Sequence, residues 1–147
     1  MINNIRHAGI VVFDLDTALV FYVDYLGMTI TANDILDKET TNKLLGISTS
    51  LHYVKLASKD VNGALIELYY FTDVMLRSLY MAIGQITYTF NHIAVTVENA
   101  DAVYLKLDIA GIKCISTPIT SKDKKHKLFF ARDPSGNLIE IVERLKE

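Results

Sequence analysis

The sequence has little that would tie it to a disulfide-stabilised fold or to a charged polymer. It contains one cysteine, Cys114, which cannot form a disulfide framework within the chain and suits a reducing cytosol. Its 15 Lys and Arg against 17 Asp and Glu give a formal net charge of −2. This balance gives no indication of binding to nucleic acid or to an anionic membrane.

Long apolar segments are also missing. No apolar run approaches the roughly 20 residues that are needed to cross a bilayer. The segment from Met1 to His7 lacks the apolar core of a secretory signal peptide. The length of 147 residues, half of them apolar, fits one domain with a real core. The sequence therefore predicts a single cytoplasmic domain spanning residues 1–147.

The chain does contain an internal repeat, and its first copy spans residues 5–71. A β-branched apolar run predicts a strand at 5–13, and Asp14 follows it as a candidate helix N-cap. A stripe of apolar residues at helical spacing predicts a helix that ends at Gly27. Further strands are predicted at 28–33, 50–57 and 63–71, with a polar segment between the first two.

The second copy, residues 90–144, has the same order of elements. A helix is predicted from Asn99 to Gly111, and strands are predicted at 90–97, 112–116, 127–132 and 137–143. The last two strands are joined by a predicted turn at 133–136. The repeat predicts an α+β fold of two βαβββ modules, joined by a linker at 72–89.

One histidine and one glutamate fall at equivalent positions of each module. His7 and His92 each lie seven residues before the helix cap, while Glu67 and Glu140 each interrupt the apolar last strand. An unpaired buried carboxylate is costly, so each glutamate needs solvent, a cation or a metal. Imidazole and carboxylate together suit Zn, Ni, Fe, Mn or Co without selecting among them. The repeat therefore predicts a divalent metal site formed by all four side chains.

Three segments resemble motifs of the vicinal oxygen chelate superfamily, which has the glyoxalase, bleomycin resistance protein and extradiol dioxygenase fold. They are ALVFYVDYLGM at 18–28, NHIAV at 91–95 and DPSGNLIE at 133–140. The resemblance implies a curled, mixed eight-stranded sheet around the metal, with ligands from the first and last strands of each module. It also implies a homodimer, in which one chain or two complete each site.

The ligand set is most similar to that of bacterial glyoxalase I, which has His, Glu, His and Glu in this order. Extradiol dioxygenases and fosfomycin-resistance transferases typically have His in the place of Glu67, and methylmalonyl-CoA epimerases usually have Gln. Glutathione-dependent glyoxalases hold their thiol peptide with an Arg and an Asn, and Val11 and Phe71 occupy those places here. Apolar side chains cannot make such hydrogen bonds, which argues against the use of glutathione.

The resemblance implies proton transfer or isomerisation next to a metal-chelated carbonyl, of the lyase, isomerase or epimerase type. The metal would act as a Lewis acid, while Glu140, or Glu67 as the second candidate, would shuttle the proton. One alternative is a non-catalytic, ligand-sequestering protein of the bleomycin-resistance kind. Another is an Fe(II) ring-cleaving dioxygenase.

Two further features bear on the substrate. Lys122, Asp123, Lys124, Lys125, His126 and Lys127 form a basic segment, which is either a solvated turn or a lid that attracts an anionic small molecule. Tyr53, Tyr69 and Phe71 are candidates for an apolar pocket, with core packing as the alternative.

Overall fold

The computed structural model describes residues 6–60, 63–73, 92–121 and 123–146. The chain divides into two compact units, Met1–Gln85 and Ile86–Glu147, and each contains one of the predicted modules. The predicted linker lies outside the described residues from position 74 onward. The union of both modules in one domain stays a prediction.

The first module forms a mixed four-stranded sheet in the order β1-β4-β3-β2. Strand β1 runs parallel to β4, and the other neighbours are antiparallel. Its elements in chain order are β1 (His7–Val11), α1 (Leu15–Leu19) with a π-helical continuation (Val20–Tyr25), β2 (Thr29–Leu36), α2 (Lys38–Leu45), β3 (Leu51–Ala57) and β4 (Leu65–Phe71).

The second module repeats this topology with the order β5-β8-β7-β6, and β5 runs parallel to β8. Its elements are β5 (His92–Val97), α3 (Ala100–Ile109), β6 (Ile119–Thr120), β7 (His126–Arg132) and β8 (Leu138–Arg144). The predicted α+β fold of two βαβββ modules is confirmed, and its eight described strands form two mixed four-stranded sheets. No helix in the described parts of the chain is long and apolar enough to cross a membrane.

The predicted helix boundaries are confirmed by their capping geometry. The Asp14 carboxylate accepts a hydrogen bond from the Thr17 amide at 2.8 Å, and the Asn99 side chain accepts one from the Ala102 amide at 2.8 Å. Each side chain thereby satisfies one of the amides that a helix N-terminus leaves unpaired. Gly27 ends the first helix in the left-handed region with a φ of 74°.

Three local predictions differ from the structure. The helix that begins at Leu15 changes to π-helical geometry at Val20, and two adjacent rings, Phe21 and Tyr22, are both fully buried there. The polar segment after β2 contains α2, which Asp37 caps through the Thr40 amide. The strand predicted at 112–116 is wrong, because this segment makes one isolated bridge, at Cys114, and the short strand β6 follows it.

In each module, one face of the sheet carries the apolar core. Leu68 on β4 is fully buried, and its neighbours in register are Ile10 and Val54. On β8, Ile141 is fully buried and pairs with Val95 and Phe129. Side chains alternate across a strand, so both glutamates lie on the opposite face from these core residues.

Candidate metal centre

The parallel pairing of first and last strands brings the predicted histidine and glutamate together in each module. In the first module, Gly9 pairs with Glu67, and His7 precedes Gly9 by two residues on the same face. In the second module, Ala94 pairs with Glu140 and His92 precedes Ala94 by two residues. Equivalent strand registers thus place one imidazole beside one carboxylate in each sheet.

The carboxylate of Glu67 is buried and has donors on both of its oxygens. His7 Nε2 lies 3.0 Å from Oε2, and the hydroxyl of Tyr69 donates to the same oxygen at 3.0 Å. Lys55 Nζ lies 3.4 Å from Oε1. The Glu67 residue is 5% exposed, so these contacts supply the partners that its burial requires.

Burial, followed by the hydrogen bond to Glu67, raises the pKa of Tyr69 to about 12. The phenol therefore stays protonated at neutral pH and continues to donate to the carboxylate. Its ring packs over Gly9, where a Cβ would lie 4.0 Å from the nearest ring atoms. A methyl group at Gly9 would therefore meet the ring at an ordinary van der Waals distance.

The imidazole of His7 is held through one nitrogen. Its Nε2 contacts Glu67, whereas its Nδ1 is buried and has no hydrogen-bond partner among the described residues. Metal-ligating histidines usually donate their second nitrogen to a carboxylate or a carbonyl. Because the described residues offer no such partner to Nδ1, the contact of Nε2 with Glu67 sets the orientation of the ring.

The second pair is more open. His92 Nε2 lies 3.4 Å from Glu140 Oε2, with side-chain exposures of 37% and 22%. Phe130 lies directly across the β7–β8 pair from Glu140, and its ring meets the His92 ring edge-on at a centroid distance of 5.4 Å. An aromatic side chain here occupies the position that Lys55 has in the first module.

Both pairs have the separation expected of two ligands on one ion. Metal bonds of about 2.0–2.2 Å to nitrogen and oxygen put neighbouring ligand atoms about 2.8–3.1 Å apart at the angles of an octahedral site and about 3.3–3.6 Å apart at tetrahedral angles. The measured distances are 3.0 Å and 3.4 Å. Among the described residues, no group of three or more His, Cys, Asp or Glu side chains forms a metal site, and each module by itself supplies two. The donors therefore fit a metal, while the set of four stays a prediction.

The residues that sequence reasoning missed are those that accompany the glutamates. The sequence signal for Lys55 was a charged residue inside an otherwise largely apolar strand. Its position opposite Glu67 depends on the β3–β4 register, which the sequence alone does not show. Tyr69 was predicted as a pocket or core residue, and its hydrogen bond to Glu67 adds a polar role.

The two apolar residues that argue against glutathione, Val11 and Phe71, are both at least half-buried. Phe71 is 2% exposed, and its ring lies edge-on to Tyr69 at 6.5 Å between centroids. Val11 is half-buried at the end of β1. Phe71 lies on the same face of β4 as Glu67 and Tyr69, opposite to the core around Leu68, and it is nearly fully buried there.

The described part of the basic segment forms a turn at 123–125 and enters β7 at His126. The Asp123 carboxylate accepts hydrogen bonds from the Ser121 hydroxyl at 2.6 Å and from the Lys125 amide at 3.0 Å. Lys127 forms an ion pair with Asp101 at the start of α3. Lys122 lies outside the described residues. The side chains of Lys124 and Lys125 are exposed, so this turn presents a positive charge to solvent.

A second turn fixes the start of β8 and hence the position of Glu140. Asp133 is buried, and its Oδ1 accepts hydrogen bonds from the amides of Ser135 and Asn137 at 2.9 Å and 2.8 Å. Its Oδ2 accepts a third from the Asn137 side chain at 2.9 Å. Gly136 lies in the left-handed region with a φ of 89°. The motif at 133–140 is therefore a structural turn that leads to a candidate ligand.

Comparison with known proteins assigns the family. The model of the Glyoxalase/Bleomycin resistance protein/Dioxygenase superfamily matches residues 4–141. The chain belongs to this superfamily. The superfamily takes its name from two kinds of enzyme and one kind of resistance protein, and its members commonly bind divalent metals.

Relatives of the superfamily match almost the whole chain. The uncharacterized protein YwbC of Bacillus subtilis (strain 168) is 28% identical over 145 residues, which cover 98% of this chain and 100% of that protein. A glyoxalase family protein from Bacillus cereus has a TM-score of 0.83 at 20% identity, covering 99% of this chain and 97% of that one. The trypanothione-dependent glyoxalase I of Leishmania major has a TM-score of 0.67 at 21% identity, covering 97% and 87%. At these identities, the solved structures support the fold.

Proposed function

We propose that this protein is a metal-dependent enzyme that moves a proton at a carbon next to a metal-chelated carbonyl of a small molecule. The main support for this proposal is that each module holds one imidazole nitrogen and one carboxylate oxygen at the separation of two ligands on one ion. His7, Glu67, His92 and Glu140 would hold the ion. When bound, a divalent metal would supply Lewis-acid polarisation of the carbonyl.

Glu140 is the better candidate for the proton-transferring group. Its side chain is 22% exposed, and its described partner is the His92 nitrogen at 3.4 Å. Glu67 is instead surrounded by three donors and is nearly buried. A general base must reach a substrate proton and release it again, and this requires an accessible carboxylate. We therefore assign the proton shuttle to Glu140 and an anchoring role to Glu67.

The experiment is elemental analysis of the purified protein, followed by proton exchange with the identified metal. We expect bound Zn, Ni, Co, Mn or Fe, and incorporation of solvent deuterium into 2-keto or 2-hydroxy thioesters or into hemithioacetals. Glu140→Gln should abolish the exchange while the protein still folds. Metal-loaded protein without exchange into any of these substrates would contradict the proposal. Oxygen uptake with catechols would instead identify a ring-cleaving dioxygenase.

A second candidate is a ligand-sequestering protein without catalysis. The observation that favours it is the ion pair between Lys55 and Glu67, which compensates one carboxylate without a metal. The two candidates differ in metal affinity. Protein that neither contains nor binds a divalent metal, yet binds an apolar small molecule, would support sequestration over proton transfer.

We further propose that the protein is a homodimer, as the resemblance implies. Light scattering after size-exclusion chromatography measures the mass directly, and a monomer at micromolar concentration would contradict a dimer. Mixing a His7→Ala variant with a His92→Ala variant tests where the four ligands meet. Recovery of metal binding in the mixture would show that two chains complete each site.

A further inference from the structure

Lys55 is the feature of the first module that the proposed function leaves unexplained. It is the direct partner of Glu67 in the antiparallel β3–β4 pair, and its Nζ lies 3.4 Å from Oε1. The Lys55 side chain is 25% exposed and that of Glu67 is 7% exposed. Ion pairs with little exposure are far less screened by water than those on the surface. Water and salt therefore screen this contact less than they screen the exposed pair between Lys43 and Glu39.

The surroundings hold the ammonium group in place. Lys55 Nζ lies 5.3 Å from the centroid of the Tyr53 ring, within the range of a cation–π contact. The other oxygen of Glu67 is engaged by Tyr69 and His7. A cation thus contacts one carboxylate oxygen, and a phenol hydroxyl and an imidazole nitrogen contact the other. The carboxylate is compensated by the chain itself.

The second module shows that the fold does not require a lysine at this position. Phe130 is the cross-strand partner of Glu140, as Lys55 is of Glu67. The histidine, the glutamate and the strand pairing are repeated, but the cross-strand cation is not. The two modules can therefore be compared directly. A lysine faces the glutamate in the first module, and a phenylalanine faces it in the second.

We propose that Lys55 is a built-in cation that competes with the divalent metal for Glu67. The inference rests on the proposed metal site. A metal on Glu67 has to displace the ammonium or remain within a few ångströms of a positive charge, and both reduce its affinity. In the metal-free protein, Lys55 keeps the buried carboxylate compensated, so that the first module folds without metal. Lys55 sets metal affinity and stabilises the empty site.

The test compares Lys55→Met with wild type in two measurements. Metal affinity is measured for Zn²⁺, Co²⁺ and Ni²⁺ by competition with a chromophoric chelator, and the Tm is measured in EDTA. We expect Lys55→Met to bind metal at least about tenfold more tightly, because a nearby positive charge is removed. The same variant should have a lower Tm without metal, and metal should raise its Tm further than in wild type.

Two further variants isolate the charge. Lys43→Met removes an exposed ion pair with Glu39, 2.6 Å long, and should leave both metal affinity and Tm almost unchanged. Lys55→Arg keeps the positive charge and should keep the metal affinity of wild type. If Lys55→Met does not fold, Lys55→Gln replaces it in the same measurements.

The possible outcomes distinguish a failure of the competition by Lys55 from a failure of the proposed metal site. Wild type that binds metal, with Lys55→Met binding equally or more weakly, would overturn the competition and leave the metal site intact. Metal binding by Lys55→Met alone would support the competition and refute metal dependence of the natural protein. Absence of binding in both proteins would overturn the metal site and the competition together.

Discussion

Lys55 Nζ lies 3.4 Å from Glu67 Oε1 across the β3–β4 pair, and Phe130 occupies the corresponding position opposite Glu140. The two modules are therefore alike in strand order and ligand placement but unlike in charge. The first holds its carboxylate in a buried network of donors. The second leaves its carboxylate partly open beside an aromatic ring. The two carboxylates should therefore respond differently to substitution.

The two glutamates should contribute differently to the stability of the metal-free protein. Glu67→Gln removes the counter-charge of the partly buried Lys55, so we expect a loss of about 1–3 kcal/mol in the free energy of unfolding. Glu140→Gln should cost under about 1 kcal/mol, because its contact is more exposed. Urea unfolding in EDTA measures both values. Equal losses would contradict the asymmetry between the modules.

Tyr69 should make the stability pH-dependent in alkaline solution. Its pKa of about 12 in the folded protein lies above the value of about 10 in an unfolded chain. A raised pKa means that its contribution is complete below pH 10 and is lost as the pH rises from 10 towards 12. Tyr69→Phe should therefore be less stable than wild type by about 1 kcal/mol below pH 10, and the difference should shrink above it. Urea unfolding at several pH values measures this, and a constant difference would refute the assignment.

The turn before β8 should be sensitive to the loss of Asp133. Asp133→Ala leaves the buried amide of Ser135 and the part-buried amide of Asn137 without their acceptor, and we expect a cost of about 1–3 kcal/mol. Asp123→Ala is a matched control in the exposed turn before β7, and it should cost less than Asp133→Ala because water can replace the lost acceptor. Thermal or urea unfolding compares the two. A smaller effect at Asp133 than at Asp123 would contradict its role in fixing β8.

The single thiol should be weakly reactive in the folded protein. Burial, followed by the Asp108 carboxylate, raises the pKa of Cys114. Because the thiolate is the reactive form, a raised pKa slows attack on a disulfide reagent at about pH 8. The native rate should be lower than the rate in urea, and Asp108→Asn should increase it slightly. A native thiol that reacts as fast as the unfolded one would disprove this expectation.

The basic segment at 122–127 should attract anionic ligands by long-range electrostatics. Changing Lys122, Lys124 and Lys125 to Gln removes three positive charges and should weaken the binding of a carboxylate or phosphate ligand at low salt. The effect should disappear as ionic strength rises, because salt screens exposed charges. Isothermal titration at two salt concentrations measures it. Unchanged affinity at low salt would mean that the segment is a solvated turn.

Much of each module follows from local sequence. Apolar, β-branched runs predicted seven of the eight described strands at nearly their observed positions, and the caps at Asp14 and Asn99 are confirmed. The exception is the segment 112–116, where Cys114 forms one isolated bridge and no regular strand pairing is described. Helix α2 was missed because its apolar residues, Leu44 and Leu45, are exposed and give no periodic stripe.

The pairing of each histidine with a glutamate also came from the sequence, because a repeat places equivalent residues on equivalent strands. Tertiary structure decided what surrounds each carboxylate. Lys55 and Glu67 are twelve residues apart, and a shift of one residue in the β3–β4 register would turn the lysine to the other face of the sheet. Register depends on how two strands pack together, and neither strand encodes it alone. The sequence thus determined which residues form the candidate site, and the fold decided that one glutamate lies beside a lysine and the other opposite a phenylalanine.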